Sequence, residues 1–170
     1  MHTNGTYTIC ENTHLTMQRI SAHYYADIEL AEVNHRTYNQ TTFRVQVDMT
    51  FQNPTATANF AGILVQTPAQ TGVAGGYIFL LDSLGQWQLQ SVVTGTTIPI
   101  VEQGNVQIHP DQPTTIAVAV QSGELVGYIN QAPVVWYNDT LNPLPGRVDL
   151  EVQEVAPSSL IFFSDFELDI

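Results

Sequence analysis

The chain has 170 residues, sixteen acidic against four basic, for a formal net charge of −12, and 44% of it is hydrophobic while only 12% is charged. That length suits one domain over residues 1–170 with a sizeable core, and the apolar share excludes intrinsic disorder. All four cations are arginines (Arg19, Arg36, Arg44, Arg147) and lysine is absent, which excludes nucleic acid and anionic headgroups as partners and removes Schiff-base and P-loop chemistry.

Taken in chain order, the first periodic segment is Ala22 to Val33, where Tyr24, Tyr25, Ile28, Leu30 and Val33 fit a short helix or a strand about equally well. Thr42 to Phe51 is the clearest strand. Phe43, Val45, Val47, Met49 and Phe51 alternate with Arg44, Gln46, Asp48 and Thr50, so one face is core and the other wet. Asn53-Pro54 breaks it, Phe60 to Gln66 is an apolar run of strand length, and Thr67-Pro68 closes that run. Asp82-Ser83-Leu84-Gly85 reads as a hairpin turn joining Tyr77–Leu81 to Gln86–Gln90. Gln121-Ser122-Gly123-Glu124 is a second hairpin turn, between Thr114–Val120 and Leu125–Asn130. Pro133 to Tyr137 is a brief strand ended by Asn142-Pro143-Leu144-Pro145-Gly146. Val148, Leu150 and Val152 alternate with Asp149, Glu151 and Gln153, and Ser159 to Ile170 supplies a last strand rich in Phe and Leu. Strands with turn signals at this spacing predict an all-β sandwich or barrel.

Leu125–Asn130 followed by Gln131-Ala132-Pro133-Val134 resembles the "itlyvNGkpv" stretch of concanavalin A-like, laminin-G-like jelly rolls. Tyr77 to Leu89 is similar to that superfamily's "Yyf.i...G.w.l" hairpin. Gly146-Arg147-Val148-Asp149-Leu150 resembles its "G.vgL" strand, and Phe163-Ser164-Asp165-Phe166-Glu167-Leu168 its closing "F.nFel" strand. These matches run in order over Thr41 to Ile170. The resemblance implies a two-sheet antiparallel jelly-roll sandwich of the concanavalin A-like lectin/glucanase superfamily, near the 3-keto-disaccharide hydrolase-like domains of bacterial extracellular proteins. It also implies that Asn4 to Ile9 supplies a first strand paired near the C-terminal one. The functional expectation is an extracellular or cell-surface recognition module for carbohydrate or adhesion, carried as a fragment of a larger bacterial protein. The alternatives are a glycoside hydrolase-like enzyme and a spacer without a ligand.

The residues allow three kinds of site. Trp87, Trp136 and Tyr137 offer flat rings for a sugar face, with Gln66, Gln86, Gln88, Gln90 and Asn130 as amides for its hydroxyls. Trp87 is in phase with Leu89 and reads equally as core, whereas Trp136 and Tyr137 point to opposite faces of one strand. Glycoside hydrolysis needs two carboxylates facing each other across the scissile bond. Asp149, Glu151 and Glu154 are the nearest counterpart to the Glu-x-Asp-x-x-Glu strand of the superfamily's glucanases, although an ordinary acidic strand face has the same pattern. No cofactor is expected apart from calcium, for which Asp82, Asp111, Asp139 and Asp149 are the available ligands. Turn formation explains the first three more simply. The histidine spacings match no zinc motif, and the single cysteine, Cys10, allows no intrachain disulfide. No signal peptide is visible and no apolar run is long enough to span a membrane; Met1 is compatible with a start added to a fragment.

Overall fold

The computed structural model describes residues 2–3, 6–11, 14–19 and 26–32 by their backbone pairing, and 42–52, 59–66, 75–93, 100–109, 111–121, 123–138, 147–153 and 160–169 with side chains except at 66, 93, 147, 149 and 160. Every described element is a strand: β1 (His2–Thr3), β2 (Thr6–Glu11), β3 (His14–Arg19), β4 (Ala26–Glu32), β5 (Thr42–Gln52), β6 (Phe60–Gln66), β7 (Gly75–Asp82), β8 (Gln86–Val93), β9 (Ile100–Asn105), β10 (Thr114–Gln121), β11 (Glu124–Ile129), β12 (Ala132–Asn138), β13 (Arg147–Gln153) and β14 (Leu160–Asp169). They form two antiparallel sheets, one of eight strands in the order β1-β2-β3-β14-β5-β10-β11-β12, the other of six in the order β4-β13-β6-β7-β8-β9. Neighbours in space are often distant in sequence, as where β13 inserts between β4 and β6, which is the crossing-over typical of a jelly roll. Among the described residues no helix is long and apolar enough to cross a membrane.

The alternation in β5 becomes the floor of the core. Phe43, Val45, Val47, Met49 and Phe51 are all at most 3% exposed, and burying each such side chain contributes roughly 1.5–3 kcal/mol. They meet Ile63 and Val65 of β6, Phe79 and Leu81 of β7, Leu89 of β8, and Val148, Leu150 and Val152 of β13 from the other sheet. A second apolar cluster, Phe60, Leu64, Ile78 and Leu80 with Val92 packed against it, lies on the outer face of the six-stranded sheet. β7 is therefore dry on both sides, and its residues from Gly76 to Asp82 are all buried. That double burial is why its sequence is a continuous apolar run rather than an alternation.

Three features differ from the sequence expectations. The ambiguous Ala22–Val33 segment contains a strand, β4, whose residues pair with β13. The expected first strand corresponds to β2, yet its partner is β3, and β3 rather than β2 lies beside β14. β9 was invisible because it is an edge strand with neither face fully buried, so Ile100-Val101-Glu102-Gln103-Gly104-Asn105 carries no period-two pattern.

Turn chemistry fixes the registers. At the β7–β8 hairpin Asp82 Oδ1 accepts from the backbone N–H groups of Leu84 (2.9 Å) and Gln86 (2.7 Å), while the Gly85 N–H donates to Asp82 O at 3.1 Å. At the β11–β12 hairpin Ile129 pairs with Ala132, leaving Asn130 (φ 49°) and Gln131 (φ 66°) as a two-residue loop with both φ positive. That is the type I′ geometry, in which Asn-Gly is the favoured pair. Gln131 thus sits where an L side chain is strained by about 1–2 kcal/mol. Gln131→Gly is expected to stabilise the fold by about 1 kcal/mol, read as a higher urea midpoint with an unchanged slope.

Candidate functional site

The side chains singled out from the sequence do not converge on one place. Trp87 is core: it is 7% exposed and its ring centroid is 6.2 Å from that of Phe79. It reaches the core from β8 because Gly104 on the neighbouring strand leaves room; a Cβ there would lie 2.6 Å from Trp87 Cζ2. Trp87 therefore drops out as a ligand residue. Tyr137 points to the inner side of β12, packs against the core and stacks at a tilt on Tyr77, with centroids 5.3 Å apart. Asn130 serves the β11–β12 turn. Its backbone N–H donates to Thr115 O at 2.8 Å and its Oδ1 accepts from Thr115 N at 3.1 Å.

Gln88 and Gln90 lie together on the outer face of the six-stranded sheet, the Gln90 amide donating to Gln88 Oε1 at 2.9 Å. Gln86 pairs with Asn105 and Gln88 with Gln103 of β9, so four amide-bearing residues stand side by side at that edge. Gln66 pairs with Gly76 on β7, and its side chain is outside the described residues. The same outer face carries Glu151, which pairs with Gly62 of β6. Glu151 is only 4% exposed, and Gln153 Nε2 donates to its Oε1 at 3.4 Å. A hydrolytic acid or nucleophile must touch its substrate, and a carboxylate sealed to this degree does not line an open cleft. Asp149 lies two residues earlier on β13 with its side chain outside the described residues, and Glu154 lies outside them altogether.

Of the calcium candidates, Asp82 and Asp111 have described side chains, and that of Asp149 lies outside the described residues. Asp82 serves the β7–β8 turn, Asp111 follows β9 and donates its backbone N–H to Phe51 O at 3.2 Å, and Asp139 lies outside the described residues. Among the described residues no three His, Cys, Asp or Glu side chains gather as a metal site.

Trp136 stands apart from all of these. It is 59% exposed and projects from the outer face of the eight-stranded sheet, on the edge strand β12. Registers place it in a row across five strands: Trp136 opposite Val126, Val126 opposite Ala119, Ala119 opposite Arg44, and Arg44 opposite Asp169 of β14. The adjacent row on the same face is Pro133, Tyr128, Ala117, Gln46 and Glu167. Ala117 and Ala119 make the middle of both rows shallow. That shallowness lets Arg44 reach over β10 and place its guanidinium carbon 5.8 Å from the Tyr128 ring centroid, a cation–π distance. Gln46 Nε2 donates to Glu167 Oε2 at 2.8 Å, and the Thr115 hydroxyl donates to Asp48 Oδ1 at 2.5 Å. The result is a shallow trough with an aromatic bank (Trp136, Tyr128), a polar bank (Arg44, Gln46) and an alanine middle that the Arg44–Tyr128 pair spans and in which Ala117 is only 1% exposed. Tyr128, Arg44 and Gln46 were missed from the sequence. The only available signal was their place at outward-facing positions of alternating strands, next to alanines in register with them.

No family model matches the sequence, and no curated protein matches it. Solved structures do match. Carbohydrate-binding module CBM66 from Bacillus subtilis superposes with a TM-score of 0.61 at 10% identity, covering 98% of this chain and 96% of its own. Caenorhabditis elegans galectin LEC-6 gives 0.59 at 9% identity over 100% and 99% of the two chains. An alginate lyase from Pseudomonas aeruginosa gives 0.58 at 15% identity over 99% and 87%. With the two antiparallel sheets and these superpositions in agreement, the chain has a galectin-like jelly-roll sandwich fold.

Proposed function

We propose that this protein is a non-catalytic carbohydrate-recognition module that works outside the cell as part of a larger surface protein, and that the trough on the eight-stranded sheet is its platform. The observation that carries this reading is the Trp136 indole, more than half exposed on a flat sheet face beside the Tyr128–Arg44 pair. An aromatic face is apolar and flat, so it packs on the C–H face of a sugar ring, while neighbouring amide and guanidinium groups bond its hydroxyls. The galectin and carbohydrate-binding-module neighbours share the fold at low identity, which supports a sugar-binding role without assigning the surface.

The test uses the two tryptophans as probe and control. With Trp87 buried, a glycan docking on the trough changes chiefly Trp136 emission. Trp136→Ala is expected to weaken binding at least about tenfold, or about 1.4 kcal/mol, and to leave unfolding free energy within about 0.5 kcal/mol because the side chain is at the surface. Equal binding by the parent protein and by Trp136→Ala overturns the assignment. A glycan array without a single binder favours a spacer instead. Release of reducing sugar from β-glucan, lost in Glu151→Gln, would replace recognition by hydrolysis.

A further inference from the structure

Resting on the trough as the sugar platform, we infer that its ligand is an uncharged oligosaccharide lying across the strands, and that polyuronates and sulfated glycans are turned away. Arg44 is the only cation among the described side chains, and it is already committed: it stacks over Tyr128 and has Asp169 as its cross-strand neighbour. Among the described side chains, every other charge on this face is negative. Asp48 and Glu167 flank Gln46 from within the polar bank, Asp169 closes the first row, and Glu124 pairs with Asn138 two residues along β12 from Trp136. The whole chain adds a net charge of −12 behind them. A carboxylated or sulfated polymer meets chiefly like charge here, with Arg44 the single cation among the described side chains, and such a field lowers its local concentration and on-rate.

The width of the trough points the same way. From β12 to β5 there are three inter-strand steps, or about 14 Å at roughly 4.8 Å per step, more than one sugar ring covers. A chain lying across it stacks at Trp136 and finds hydroxyl partners at Gln46 and at the guanidinium N–H groups that the stacking of Arg44 on Tyr128 leaves at its edge. Tyr128, its ring under the guanidinium, positions Arg44 on the face rather than stacking on the sugar itself.

Affinities for neutral hexasaccharides (β-glucan, xylan and mannan series) and for alginate and polygalacturonate fragments, measured at about 0.01 M and about 1 M salt, decide the question, because screening length falls from roughly 30 to roughly 3 Å over that range. Neutral binding is expected to be nearly independent of salt and to grow with chain length from two sugars to six. Polyuronate binding is expected to be undetectable at low salt. Asp169→Asn with Glu124→Gln, which leaves the stacking ring in place, should raise any residual polyuronate affinity several-fold and leave neutral binding unchanged. Tight alginate binding at low salt that weakens as salt rises overturns the charge inference; if Trp136→Ala still abolishes it, the platform stands. Neutral binding that is indifferent to Trp136→Ala overturns the platform itself.

Discussion

Phe79→Ala is expected to lower the unfolding free energy by about 3–5 kcal/mol, the range for removing a buried phenylalanine. The ring is 1% exposed and projects from β7 into the space between the sheets. Trp87 meets it at a tilt on one side. On the other, its edge approaches β11 so closely that a Cβ on Gly127 would lie 3.0 Å from Phe79 Cε2. Its neighbours sit on strands held by full backbone ladders on either side of β7, so they cannot collapse into the hole, and the cavity term is retained. At roughly 2–4 °C per kcal/mol for a domain of this size, the melting temperature should fall by about 10 °C. A fall of only two or three degrees would show that the two sheets are less tightly interlocked than the ring contacts indicate.

Gly62→Ala should be nearly as damaging, although it adds a single methyl. A Cβ at residue 62 would lie 1.9 Å from the carbonyl oxygen of Phe79 and 2.9 Å from the Cα of Leu80. Both are backbone atoms of the next strand, and β6 and β7 are paired from Phe60–Asp82 to Gln66–Gly76. No rotamer change relieves such a clash; the ladder itself must open. Overpacking commonly costs about 1–3 kcal/mol and occasionally more, and with backbone as the obstacle we expect about 3 kcal/mol. Urea denaturation followed by circular dichroism checks the value. A variant as stable as the parent would mean that β6 and β7 can move apart without loss of pairing.

What could be read from the residues depended on whether burial differed between the two faces of a strand. β5 has one dry inner face, so Phe43, Val45 and Val47 fall on every second position and gave it away; in β13 the outer face is buried too, but by the polar Glu151 and Gln153, so Val148, Leu150 and Val152 still alternate with polar residues. β7 and β6 are dry on both sides and showed up as apolar runs flanked by turn residues. β9 at the edge lacks a one-sided core, so nothing in its sequence rose above the background. For the site, alternation within β12 correctly separated Trp136 from Tyr137, one outward and one inward. Adding Tyr128, Arg44 and Gln46 required cross-strand register among β5, β10 and β11, which a single chain pattern does not carry. Placing Gln88 and Trp136 on different sheets likewise needed the topology.

The two sheets differ in a way that bears on how such a protein changes over generations. The central strands β6 and β7 of the six-stranded sheet are buried on both faces, so nearly any substitution there taxes folding. The outer skin of the eight-stranded sheet carries little of that burden: Trp136 is more than half exposed, and Arg44, Gln46 and Tyr128 are only half-buried. Surface positions of this kind usually shift stability by no more than about 0.5 kcal/mol. New preferences can therefore be written onto positions 44, 46, 128 and 136 while the interior is left alone, and a saturation library at those four sites should yield mostly folded proteins with altered taste.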